Sequence, residues 1–157
     1  MIPNKNLNKK DINELLLNKV FSGSEAIICE SDNPYSLYKI FSKCEKIQPM
    51  GKNKEKKIEL LHQLQLDYSV KPISTISYND VIIGYEMTSD YSFDTYRLYQ
   101  FTKEDLYLFL DKTKNILEYF SDNGIIYGDV DPRNILFNRE TKEIQFCDMD
   151  NIQIANF

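Results

Sequence analysis

One long stretch of helical periodicity divides the chain and limits what it can fold into. Thr102 can cap a helix start, with Asp105 at the third position of the helix. Leu106, Phe109, Leu110, Ile116, Leu117 and Phe120 then recur at helical spacing, and Asn123-Gly124 gives a stop signal. Short apolar runs follow, Ile125-Ile126-Tyr127, Ile135-Leu136-Phe137 and Ile144-Gln145-Phe146-Cys147, separated by polar turns and short enough to be strands.

The chain before that helix alternates in the same way. Ile12, Leu15, Leu16 and Leu17 form one stripe over 9–19, with Asp11 as a possible cap. A strand is expected over 26–30 and a turn at Asp32-Asn33-Pro34. A second strand over 36–41 completes a hairpin. Residues 52–66 change character: Ile58, Leu60, Leu61 and Leu64 recur at helical spacing between Gly51 and Asp67. Strands are then expected over 70–76 and 81–86, around the turn Ser77-Tyr78-Asn79-Asp80. The order is that of an α+β chain. A polar stretch over 88–93 separates a strand-rich front, 1–88, from a helix-led back, 89–157.

Charge and cysteine content exclude several functions. Acidic residues outnumber basic ones, 24 to 19, for a net charge of −5. That argues against a chain wrapped on nucleic acid, and the basic run at 52–57 is diluted by Glu55 and Glu59. No run approaches the roughly 18 apolar residues of a membrane helix, and the N-terminus has no signal-peptide core, so no membrane role is expected. Cys29, Cys44 and Cys147 are odd in number and widely spaced, which reads as reduced thiols in a cytoplasmic protein. His62 is the single histidine. It cannot build a usual zinc site, and no nucleophile motif accompanies it.

The chemistry concentrates in Tyr127-Gly128-Asp129-Val130-Asp131-Pro132-Arg133-Asn134-Ile135-Leu136-Phe137. An Asp is followed five residues later by an Asn and then by an apolar strand. A second acidic cluster, Cys147-Asp148-Met149-Asp150, follows a hairpin whose turn is Asn138-Arg139-Glu140-Thr141-Lys142. Mg²⁺ takes hard oxygen ligands, one or two from protein and the rest from phosphate and water. Asn134 and Asp148 suit that role, which leaves Asp129 to accept a proton from, or to orient, an attacking hydroxyl.

The spacing Asp129…Asn134…Asp148 resembles the catalytic loop and metal-binding motif of the protein-kinase superfamily. The wording Gly-Asp-Val-Asp-Pro-Arg-Asn-Ile-Leu, with Asp-Met-Asp behind it, looks most like atypical bacterial kinase-like domains. The resemblance implies a nucleotide-binding front part, an antiparallel sheet plus one helix, followed by a reduced, helix-led back part. It implies ATP and Mg²⁺ as cofactors, with Asp129 catalytic and Asn134 and Asp148 on the metal. Lys39, inside a strand after a hairpin, would hold the α- and β-phosphates. Glu55, with Glu59 one turn on as the alternative, would hold Lys39. The phosphate-covering loop would be Phe21-Ser22-Gly23-Ser24-Glu25-Ala26, with Gly23 as its one glycine. The hinge would be Glu86-Met87-Thr88-Ser89, with Met87 at the back of the pocket and backbone groups on the adenine edge.

Three departures shape the expected function. Asp131 stands where serine/threonine kinases carry a lysine, and Arg133 could supply the missing cation. Asp150 stands where the family has glycine. The sequence stops nine residues past Asp148, before the helices that build a peptide platform and bury one side of the long helix. Leu106, Tyr107, Leu108, Phe109 and Leu110 in succession, then Ile116, Leu117, Tyr119 and Phe120, are thus expected to leave an apolar face for a protein partner or a second copy. The leading expectation is an ATP- and Mg²⁺-dependent phosphotransferase of protein-kinase type. The alternatives are a pseudokinase-like nucleotide-binding module acting through a partner, and then a small-molecule kinase.

Overall fold

The structure, a computed structural model, describes residues 1–44 and 46–155, with Leu98 described by its backbone alone. The chain forms two compact units. The first holds Met1–Gln65 and Lys71–Asp90, the second Leu66–Val70 and the chain from Tyr91 onward. The sequence placed the division at 88/89. The structure places it after Asp90 and gives the short segment at 66–70 to the second unit.

The first unit is a seven-stranded sheet with two helices. Its elements are β1 (Asn4–Leu7), α1 (Lys9–Leu17), β2 (Lys19–Ser22), β3 (Ala26–Glu30) and β4 (Ser36–Lys43). They continue as β5 (Lys46–Ile47), α2 (Lys52–Leu64), β6 (Pro72–Tyr78) and β7 (Val81–Thr88). The strand order is β1-β6-β7-β4-β3-β2, with β5 pairing β4. All neighbours are antiparallel except β1, which lies parallel to β6. Asn79 and Asp80 both have positive φ, as a two-residue hairpin turn between twisted strands demands, so β6 runs on through Ser77 and Tyr78.

Alternation along β4 gives the sheet two chemically different faces. Tyr38 and Ile40 point into a core shared with Leu7, Ile12, Leu15, Ile27, Cys29, Ile76 and Ile83. Ile12 and Leu15 bring α1 onto that face. Lys39 and Phe41 point to the opposite face, where Lys39 stands directly across from Tyr85. Lys54 of α2 reaches the Phe41 ring there, 4.6 Å from its centroid.

The first turn of α1 is a capping box. Asn8, not Asp11, is the cap; its side chain accepts from the Lys10 and Asp11 N–H groups, and Asp11 returns a bond to the Asn8 N–H. The expected helix end at residue 19 is instead the start of β2, which pairs with β3 and turns the Gly23 segment into a hairpin tip. His62, on α2, bonds the Pro72 carbonyl through Nδ1 at 2.8 Å, a structural tie to β6.

The second unit is led by α3 (Lys103–Asp122). Around it lie β8 (Asp94–Thr95), β9 (Ile125–Ile126), β10 (Ile135–Phe137), β11 (Ile144–Phe146) and β12 (Gln153–Ile154). These form two small sheets, β11-β10-β8 and β12-β9. Thr102 caps α3 by accepting from the Asp105 N–H, as the sequence indicates. The Asp105 carboxylate is held by Lys142 in the hairpin turn, 2.9 Å away, which holds the carboxyl below its usual range. An aromatic core fills the space under α3. Phe101, Phe109 and Phe137 pack at 5.1–6.1 Å between ring centroids. Phe120, Tyr127 and Phe146 do the same at 4.9–6.4 Å.

The apolar face expected along α3 is narrower than its sequence suggests. Phe109, Ile116 and Phe120 are buried, Leu106, Leu108 and Leu117 are half-buried, and Tyr107 and Leu110 remain exposed at 66% and 52%. No helix among the described residues is long and apolar enough to cross a membrane.

Gly84 is the tightest point of the first unit. A Cβ there would meet the Lys39 carbonyl oxygen at 2.2 Å and the Ile40 Cα at 3.0 Å, so β4 would have to move. Gly128, by contrast, has open space on its Cβ side. Gly84→Ala is expected to cost about 1–3 kcal/mol of stability through overpacking, and Gly128→Ala under about 0.5 kcal/mol. Urea unfolding of the two variants checks this.

Candidate functional site

The acidic segment of the second unit folds into one knot of backbone and side-chain bonds. Tyr127 ends the run after β9, and its buried hydroxyl donates to the Cys147 carbonyl at 2.6 Å. That bond ties the chain just before Asp129 to the chain just before Asp148. Burial, together with the nearby Cys147 and the carboxylates Asp148, Asp129 and Asp150, raises the Tyr127 phenol well above its ordinary value, so it stays a donor. The Cys147 N–H in turn donates to the Asn134 carbonyl at 2.9 Å.

The loop between these anchors is tightly wound. Asp131 donates its N–H to the Asp129 carbonyl at 2.8 Å, and Asn134 donates its own to the Asp131 carbonyl at 2.8 Å. Pro132–Asn134 form a single 3₁₀ turn capped by the Asp131 side chain, with Pro132 in the first turn, where its missing N–H does no harm. Asn134 Nδ2 donates to Asp129 Oδ2 at 2.9 Å and to the Asp129 carbonyl at 3.3 Å. Both carboxamide donors therefore face Asp129, and the Asn134 carbonyl oxygen is left as an acceptor. The Asp129 carboxylate is solvent-exposed.

Asp148 lies at φ 59°, ψ 36°, a left-handed conformation unusual for any residue but glycine, asparagine or aspartate. It opens the 3₁₀ turn Met149–Asn151, and Asn151 Nδ2 donates to its Oδ2 at 2.7 Å. Asp150, two residues on, is buried at 1% exposure in that turn. The Tyr127–Cys147 and Cys147–Asn134 bonds thus tie the segment that carries Asp129 and Asn134 to the one that carries Asp148. A carboxamide oxygen and carboxylates are hard donors that suit Mg²⁺. No group of three or more His, Cys, Asp or Glu side chains is placed to hold a metal among the described residues. Any metal here would thus take its remaining ligands from phosphate and water.

Arg133 is already engaged. Its Nε and Nη2 donate to the two Asp131 carboxylate oxygens at 2.9 and 2.8 Å, a bidentate fork, and its backbone N–H donates to Asp131 at 2.8 Å. These bonds hold the Asp131 carboxyl down at about 2. The sequence expectation that Arg133 replaces a missing phosphate-facing cation therefore meets a competing partner two residues away.

In the first unit, Lys39 sits where expected, at the centre of the sheet and 6% exposed. Its Nζ lies 5.8 and 6.0 Å from the Phe41 and Tyr85 ring centroids. Glu55 lies half-buried in the first turn of α2. The side chain of that turn that reaches β4 is Lys54, which also pairs with Glu25 of the hairpin tip at 3.5 Å. Gly23 turns that tip, donating its N–H to the Ala26 carbonyl at 2.9 Å. Met87 is buried on β7, opposite Leu37. Thr88 and Ser89 both donate their N–H groups within the unit, to Lys71 and Tyr35 at 2.9 Å. The expected adenine contacts of that stretch thus lose these two donors.

A hollow of about 560 Å³ lies between α3 and the start of β11, lined by Tyr68, Phe93, Lys112, Ile116 and Ile144 among others. It sits at the turn end of the β10–β11 hairpin, whereas Asp129, Asn134 and Asp148 sit at the other end. Tyr127 is the anchoring residue the motif reading missed; its only sequence signal is an aromatic placed directly before the Gly-Asp pair.

Two outcomes follow. Asp131 titrates at about 2 here, against about 4 for an ordinary aspartate, so the fork's contribution is complete above pH 4 and is lost as pH falls toward 2. Carboxyl NMR titration of Arg133→Gln is expected to raise Asp131 from about 2 only part of the way to an ordinary aspartate, because the backbone N–H of residue 133 still donates to it. Tyr127→Phe is expected to lower stability by about 1–2 kcal/mol, the cost of leaving the Cys147 carbonyl without its donor, as read by urea unfolding.

Searched against models of known families and against curated proteins, the chain matches none.

Proposed function

We propose that this protein is a kinase-like, ATP- and Mg²⁺-dependent phosphotransferase. The observation that carries the reading is the Asn134–Asp129 bond at 2.9 Å, which engages the amide nitrogen and leaves the carboxamide oxygen as an acceptor beside an exposed carboxylate. A metal-holding oxygen and a proton-accepting or hydroxyl-orienting carboxylate belong together in phosphoryl transfer. Asp148, held in its left-handed conformation, supplies the second hard oxygen donor.

In this reading Asn134 and Asp148 would hold Mg²⁺, which when bound neutralises the charge on the phosphates. Asp129 orients the acceptor hydroxyl or takes its proton. The runner-up is a nucleotide-binding module that acts through a partner protein without turnover. It is favoured by the engagement of Arg133 with Asp131, which occupies the cation that phosphoryl transfer would call on.

Thermal unfolding with and without Mg²⁺-ATP tests the site. Ligand at 100 times its Kd is expected to add about 2.7 kcal/mol, a shift of several degrees, and Asp148→Asn to abolish it. Absence of any shift in the wild type would overturn the reading. If the shift is present, ATP turnover separates the two versions. The enzyme reading expects Asp129→Asn to lower the rate at least about a hundredfold with binding retained. A wild type that binds without turnover would favour the module.

A further inference from the structure

Arg133 is a charged fork exposed to 86%, yet it is held by both oxygens of Asp131. The two residues flank Pro132 in the same single turn that presents Asn134, so the guanidinium lies one residue from a proposed metal-holding oxygen. The Asp129 carboxylate also acts on it through charge. A solvent-exposed ion pair is weak, because water and salt screen it and two side chains must be ordered. A phosphoryl group offers the same planar fork a bidentate partner of higher charge.

We propose that Asp131 is a positioning residue that parks the Arg133 guanidinium, and that a phosphate chain bound at Asp129, Asn134 and Asp148 takes the fork over from it. The occupant is thus a polyphosphate, recognised through its phosphates and independent of any base. The inference rests on the phosphotransferase reading of the same loop. In the resting loop Asp131 keeps a mobile cation from pairing with Asp129, which would tie up the carboxylate that must meet the acceptor. In the occupied loop the released carboxylate remains bonded to the backbone N–H of Arg133, so the 3₁₀ turn persists through the exchange.

The test uses the full chain and inorganic tripolyphosphate with Mg²⁺ at 0.15 M ionic strength. Calorimetry is run on wild type, Asp131→Asn, Arg133→Gln and the double variant. Asparagine keeps an oxygen for the turn's cap while giving up the charge that parks the guanidinium. Asp131→Asn is expected to bind about three- to tenfold tighter, Arg133→Gln weaker by a similar factor, and the double variant like Arg133→Gln. In parallel, the Arg133 Nε–H resonance of the wild type is expected to move as tripolyphosphate is added, a response that a purely structural ion pair would not give. The proposal is overturned if that resonance stays in place at saturation. It is overturned equally if Asp131→Asn leaves affinity unchanged, or if its gain survives in the double variant, which would make Asp131 a simple repulsive charge. In each of those cases the wild type still binds and the phosphotransferase reading stands. If the wild type binds no tripolyphosphate, the proposal falls, and the phosphotransferase reading falls with it only if Mg²⁺-ATP also fails to bind.

Discussion

The second unit depends on how one residue, Phe146, is held. Its N–H donates to the Tyr68 carbonyl at 2.7 Å, and its own carbonyl accepts from Val70 at 2.9 Å. Its ring is fully buried against Phe120 and Tyr127. The strand that ends at Phe146 is therefore fixed on both backbone sides and through its side chain. Asp148 emerges two residues later, and Asn134 is bonded to the intervening Cys147. A strand of three residues has little stability of its own. Here the aromatic packing and the borrowed pairing at 68–70 give it a rigid base, which is what a site built on loops requires.

The first unit meets a different constraint, the placing of a charged group in a sheet interior. One face of β4 is apolar and packs on α1, while the other carries Lys39 between aromatic rings. Aromatic faces attract a cation that would be costly among aliphatic side chains. Lys54 leans on the same Phe41 ring from α2 and is neutralised in part by Glu25. The helix is thus held over this face by a charged side chain as well as by the buried Ile58 and Leu61.

Much of this architecture could be read from the sequence, for reasons that differ by element. Both longer helices announced themselves because α2 and α3 each bury a stripe of one face, which leaves a 3.6-residue period. The turns at Asn33 and at Asn79-Asp80 were visible because their backbone needs those side chains or a positive φ. β1 was not visible. Asn4, Lys5 and Asn6 have no alternation, and the strand is made by long-range bonds such as Asn4 Nδ2 to Ser77 Oγ at 3.0 Å. β2 was hidden for the related reason that all four of its residues are exposed, Val20 and Phe21 included. The spacing of Asp129, Asn134 and Asp148 survives in the sequence because one hairpin fixes it. The bond from Asp131 to Arg133 does not, because a fork can turn toward any acceptor within reach and only the fold selects one. Lys54 was overlooked beside Glu55 for a similar reason. Adjacent helix positions point about 100° apart, and only the packed structure decides which of the two meets the sheet.

The backbone at Asp148 carries an implication for how this sequence can change. Left-handed geometry costs an aspartate more than it costs a glycine, and glycine is the ordinary solution at such a position. Glycine there would relax the chain while deleting the carboxylate and the bond it accepts from Asn151. Drift toward conformational ease and retention of an acid at this point therefore pull in opposite directions. A lineage freed from the need for that acid would be expected to lose it early. Its persistence or loss among natural variants of this chain would record whether the loop is still in use.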